Sequence, residues 1–221
     1  LGFTPAALIY MEELECTLDQ FVMGPAMDKH GAHQSLRMMC DLLAVVVALG
    51  RTGVRHNELM LRNVMVRRRA PSCRRRKRSL TLLLPDRREE LSWHAHDECD
   101  VVLIDLGLAS CRDESAGCVT HEQRDDRFAS SKPKQEVLYT RTHPLQCYRH
   151  SRNRNLCDLC CLWWSVQQYI NKPRLHDDFK QWCERYVQTL RTATRNADAT
   201  RKELQLEAAV LAVFPTEVRV S

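Results

Sequence analysis

From Ser35 the chain reads SLRMMCDLLAVVVALGRTG, which places Leu36, Met39, Leu43, Val46 and Leu49 on one face at helical spacing. An apolar stripe of that width needs a partner layer, so the chain must build a core around this helix. Ser35 is the expected N-cap, and Gly50 and Gly53 are the expected stop. The periodicity then changes. NVMVR (63–67) and VVLIDLGL (101–108) are rich in β-branched residues and predict two short strands. Upstream, residues 7–14 predict a strand running into a turn, with a helix starting at Thr17 or Leu18. Residues 109–150 are polar and turn-rich, and helices are expected over 156–170, 177–193 and 199–213. No internal repeat is present, and seven Gly and eight Pro are too few for a flexible linker between domains. The pattern predicts an α+β fold, mainly helical, with short β-strands.

Composition narrows the class. The 221 residues are 44% hydrophobic and 28% charged, which excludes a wholly disordered chain. The longest apolar run, residues 42–49, falls far short of the roughly 20 residues that span a bilayer, so no membrane partner is expected. No basic stretch precedes the apolar opening, so no secretory signal is expected. The chain opens with Leu rather than Met, so further residues upstream are an open expectation. Eight basic residues and no acidic one fall in RRRAPSCRRRKR (67–78). Taking these eight from the 33 Lys and Arg leaves 25 against 28 Asp and Glu, so the basic character is one local segment. Arg67 and Arg78 bound a candidate surface for a nuclear import factor or a polyanion. Holding no apolar side chain, Arg74 to Arg78 are expected to be removable without loss of the fold. Eleven cysteines, an odd number without a secretory signal, predict free thiols and a cytoplasmic or nuclear setting. Cys157, Cys160 and Cys161 lie in an apolar run and read as core residues rather than ligands, since no second CxxC pair exists. His94, His96 and Cys99, with Cys111, Cys118 and His121 beyond, are read as loop residues over a zinc site.

Three segments carry chemistry. LGRTGVRHNELMLRNVMV (49–66) resembles the protein-kinase catalytic loop, H-R-D-L-x-x-x-N, with His56, Leu59 and Asn63 in place, Asn57 for the Arg and Glu58 for the Asp. Ile104-Asp105-Leu106-Gly107 resembles the metal-binding D-F-G. Met11-Glu12-Glu13-Leu14, followed by Thr17-Leu18-Asp19-Gln20-Phe21, resembles the hinge strand and the helix beyond it. The resemblance implies a protein-kinase-like large lobe over 1–221, with ATP and Mg2+ as cofactors. Its parts would be a hinge strand (1–16), a catalytic loop (49–66), an Arg-rich insertion (67–100), a DFG-like strand (101–108), an activation-segment-like loop (109–150) and a helical remainder (151–221). It implies Glu58 as the proton acceptor, Asn63 and Asp105 as Mg2+ ligands, Met65 as the floor under adenine, and Glu12 and Leu14 as main-chain contacts to its edge. His56 would pack the loop against the turn at Leu106. Asp158 reads equally as the buried anchor of that loop or as a helix cap.

The departures are specific. No Gly-rich loop and no V-A-I-K lysine precede the hinge, so the small lobe is absent from this chain. Glu58 carries one more methylene than Asp, about 1.5 Å of reach, and a 1 Å misplacement can cost on the order of a hundredfold in rate. Met60 stands where these kinases commonly carry a Lys. Asp105 follows Glu58 by 47 positions. A-P-E has only a loose echo at Thr142-His143-Pro144-Leu145. The degraded motifs with an Arg-heavy insertion resemble a kinase-like gene of a large DNA virus. Three functions are therefore expected in order. The first is a divergent Ser/Thr kinase-like domain acting on a protein substrate when completed by an N-terminal lobe. The second is a pseudokinase scaffold, and the third a nuclear or RNA-associated protein working through the Arg-rich segment.

Overall fold

A computed structural model describes residues 14–24, 28–56, 58–69, 76–106, 109–111, 157–200 and 205–220. The fold is mixed α+β, with long helices packed against three small antiparallel sheets. Thr17 closes β1 (Cys16–Thr17) and opens α1 (Leu18–Val22). Gln20 N donates to the Thr17 hydroxyl at 3.1 Å and Thr17 N donates to the Gln20 side chain at 3.0 Å, a reciprocal cap at the expected position.

Helix α2 (Lys29–Arg51) starts well before Ser35. Asp28 is the N-cap, accepting from Gly31 N at 2.7 Å, and Ser35 is fully buried inside the helix. The polar first turns gave no apolar rhythm to read, yet Ala32 is buried and Gln34 donates to Asp97 at 2.7 Å. At the other end Gly53 takes φ 73, a conformation that favours glycine, and ends the helix as expected. By length and composition α2 could cross a membrane, but 67% of its apolar window is buried inside the protein.

The sheet that carries the candidate site has the order β1-β3-β6, with β3 (Val64–Arg68) and β6 (Cys99–Leu103) antiparallel. Thr17 faces Met65, and Met65 faces Val102. Strand alternation buries Val64 and Val66 and turns Met65 to the opposite face. β2 (Val54–Arg55) pairs with β7 (Ser110–Cys111). The remaining helices are α3 (Cys157–Tyr169), α4 (Asp177–Thr200) and α5 (Leu206–Val213). Their aromatic tips are satisfied in the core: Trp163 Nε1 donates to Val187 O, Trp182 Nε1 to Val213 O and the Tyr186 hydroxyl to Leu159 O, at 2.9–3.1 Å. Cys160, Cys161 and Cys183 are buried core thiols.

Three expectations are corrected. Within 67–100, expected as a polar insertion, β4 (Lys77–Leu83) and β5 (Arg88–His94) form a hairpin whose Leu82, Leu91 and Trp93 join the core. Only Leu80 and Leu82 mark the inward face of β4, too short a pattern to read from sequence. Second, the basic run is not a solvated arm throughout. Arg68 pairs with Glu15 at 2.8 Å, Arg69 with Asp100 at 2.6 Å, and Arg78 with both Asp41 and Asp100. Arg74 to Arg78 therefore include a residue the fold uses. Third, the DFG-like strand starts at Cys99 and ends at Leu103, because Asp105 has φ 58 and cannot continue a strand. Most of the hinge strand (1–13) and of the activation-segment-like loop (112–150), with Cys118, His121 and 142–145, lies outside the described residues.

Candidate functional site

The loop 56–63 is held from behind. His56 is fully buried, and its N–H donates to Asp158 Oδ2 at 3.1 Å. Its ring Nε2 lies 2.8 Å from Ile104 O, while Nδ1 accepts from Glu58 N at 3.4 Å, a pairing that selects the Nε2–H tautomer. Asp158, in the first turn of α3, anchors the loop backbone rather than only capping its helix. Ser165 does the same one step on: its Oγ accepts from Leu61 N at 3.2 Å. Sequence reading gave Ser165 no such role. The available signal was its spacing, seven residues from Asp158, which puts both on one helix face.

Within the loop, Met60 N donates to Glu58 O at 2.9 Å, Asn63 N to Met60 O at 2.8 Å and Asn63 Nδ2 to Glu58 O at 2.9 Å. Ile104 N donates to Asn63 O at 3.1 Å. These bonds bring Glu58, Asn63 and the backbone just before Asp105 to one crossing. The Glu58 carboxylate is mostly buried and lies 3.7 Å from the exposed Arg62 guanidinium. Met60 is buried, so no cation is presented from its position.

Asp105 is the one non-glycine residue at positive φ among those described, a strained conformation of the kind that collects at functional sites. Its side chain is exposed and makes no hydrogen bond or ion pair among the described residues. Asn63 spends its amide N–H on Glu58 O, leaving the amide oxygen as its donor to a ligand. Two hard oxygen donors, one of them a carboxyl without a partner among the described residues, suit Mg2+, whose other ligands would come from phosphate and water. Met65 is half-buried on the sheet face away from the core, beside Thr17 and Val102. Leu14 is half-buried just ahead of β1, and Glu12 lies outside the described residues.

At the far end of the β3–β6 ladder, burial works to raise the Asp100 carboxyl, yet Arg69 and Arg78 hold it below the usual carboxylate range. Burial pushes Asp41 up, against Arg78 and the Trp93 indole. At the zinc candidate, His96 Nδ1 accepts from both Glu98 N and Cys99 N at 3.0 Å, and burial, with Glu15 beside it, pushes the Cys99 thiol up to about 11. Among the described residues no group of three His, Cys, Asp or Glu could hold a metal ion. A cleft of about 270 Å³, lined by Gly50, Arg55 and Asp158 among others, lies behind the loop rather than at Asp105. Comparison with protein-family models finds none that matches this chain, and comparison with curated proteins likewise finds no match.

Proposed function

We propose that this chain is the large lobe of a divergent Ser/Thr protein-kinase-like domain, transferring the γ-phosphate of ATP to a protein hydroxyl when completed by an N-terminal lobe. The observation that carries the reading is the tie from Asp158 through His56 to Ile104, which joins the loop bearing Glu58 and Asn63 to the strand end bearing Asp105. Glu58 takes the proton of the acceptor hydroxyl as its oxygen bonds to the γ-phosphorus and the bond to the bridging oxygen of ADP breaks. Asn63 and Asp105 hold Mg2+, which when bound offsets charge on the phosphate oxygens. Met65 forms the floor beneath adenine, and Glu12 and Leu14 offer main-chain groups to its edge.

Radiolabel transfer from ATP to a generic basic protein by the full gene product tests this. Asp105→Asn is expected to remove most turnover, and Glu58→Asp to keep or raise it, since the two acids have similar unperturbed pKa values, about 3.9 and 4.3, and differ in reach. A second reading, a scaffold that keeps the fold without the chemistry, is favoured by the Arg62 guanidinium beside Glu58 and by the buried Met60. Transfer undetectable in the parent and in Glu58→Asp alike selects that second reading.

A further inference from the structure

The basic run ends in a residue with partners on two other elements. Arg78, on β4, places Nη1 3.1 Å from Asp41 Oδ1 and Nη2 2.6 Å from Asp100 Oδ1. Asp41 sits in the middle of α2 with its side chain fully buried, and it also accepts from Trp93 Nε1 at 2.8 Å. Asp100, on β6, takes a second guanidinium from Arg69, just past the end of β3, at 2.6 Å. This run of contacts ties α2, the hairpin and both strands of the β3–β6 ladder together, at the ladder end remote from the site.

The other end of the same ladder carries the site. Val64 faces Leu103, and the next bond, Ile104 N to Asn63 O, sets Asp105 beside Asn63. β6 is an edge strand, hydrogen-bonded to β3 alone among the described strands, and the ladder is five residues long. A short edge strand has weak register, and a slip of one residue moves it about 3.3 Å and inverts its faces. Here the side chains supply the pin that the backbone lacks.

We propose that Arg78 is a positioning residue for the Asn63–Asp105 pair: by clamping Asp100 to Asp41 it fixes β6 along β3, and so sets where Asp105 stands. The clamp itself is independent of the kinase-like reading, whereas its effect on metal binding rests on that reading. A single lysine ammonium cannot bridge two carboxylates as a guanidinium fork does, so Arg78→Lys keeps part of the function.

The test uses the 221-residue chain in three variants: Arg78→Met, Arg78→Lys and the double variant Asp41→Asn/Arg78→Met, which also removes the buried charge that Arg78 loss would strand. Amide hydrogen exchange over 101–104 is expected to quicken at least tenfold relative to α4 in Arg78→Met and in the double variant, with partial recovery in Arg78→Lys. Mn2+ alone, titrated with Asp105→Asn as the reference, is expected to bind at least tenfold more weakly to both Met variants. Exchange at 101–104 that rises only in step with α4 overturns the clamp. Unchanged Mn2+ affinity in the Met variants, where Asp105→Asn abolishes binding, overturns the positioning role and leaves the kinase-like reading standing. Parent binding that Asp105→Asn does not alter, together with selective exchange at 101–104, overturns the kinase-like reading and leaves the clamp.

Discussion

His56 answers to partners 48 and 102 residues away, Ile104 and Asp158. Hydrogen bonds to a buried carboxylate are the stronger kind, about 1.5–3 kcal/mol each. Asp158→Ala is therefore expected to lower unfolding free energy by about 2–3 kcal/mol in urea denaturation, and Asp158→Asn, which keeps an acceptor oxygen, by less. Asp105 bears on stability in the opposite sense. Its left-handed conformation strains any residue with a Cβ by roughly 1–2 kcal/mol. Asp105→Gly should thus keep or raise the thermal midpoint while Asp105→Val lowers it. His96 sets a pH dependence. Burial holds its ring below the usual histidine value, against the pull of Asp97 and Glu98. The unfolded chain takes up this proton near pH 6.5 and the folded chain only below that, so the folded state loses stability as pH falls below about 6.5. Thermal midpoints between pH 7.5 and 5.5 should fall for the parent and fall less for His96→Gln.

At the scale of elements, short signals are set by local chemistry and long ones by packing. The Thr17–Gln20 box closes within four residues, and Thr17→Ala is expected to cost about 1 kcal/mol of stability. Gly50 shows the other case. It lies inside α2, where alanine is the better helix former, yet a Cβ there would collide with the Leu206 side chain of α5. Gly50→Ala is expected to lower the thermal midpoint despite the gain in propensity, because overpacking costs about 1–3 kcal/mol. An unchanged or higher midpoint would mean that Leu206 repacks freely. The β4 edge of the hairpin is met by an ion pair: Arg51 donates to Thr81 O at 2.6 Å and Glu207 accepts from Leu83 N. Arg51 and Glu207 also bind each other at 2.9 Å, so one pair covers part of an edge that would otherwise be free to pair with another chain.

For the whole molecule, the Arg-rich segment is a structural part of the fold where it enters β4. Deleting residues 74–78 removes Arg78 and strands the buried Asp41 carboxylate, so a lower thermal midpoint and a weaker cooperative transition are expected. Calorimetry of the 221-residue chain with Mg-ATP is expected to show weak binding or none. On the proposed reading the chain would offer Asn63, Asp105 and the Met65 face, but it carries no Gly-rich loop or strand lysine to hold the phosphates. Low-micromolar binding would overturn this.

The sequence alone determined what depends on near neighbours. The helical stripe of Leu36, Met39, Leu43 and Val46, the β-branched strand at Val64 and Val66, the start of α1 at Thr17 and the stop at Gly53 follow from rotation per residue, side-chain shape and backbone freedom. The residue types at 58, 63 and 105 were legible too, since each stands in a short motif. What they touch was not. Whether Asp158 caps its helix or anchors His56, whether Arg78 stands in solvent or pairs with Asp41, and whether 77–94 is loop or hairpin all turn on partners tens of residues distant. Spacing along the chain carries no record of such contacts. Only the packing of α2, the hairpin and β6 against one another brings those charges within hydrogen-bond reach and removes the water that would otherwise have held them apart.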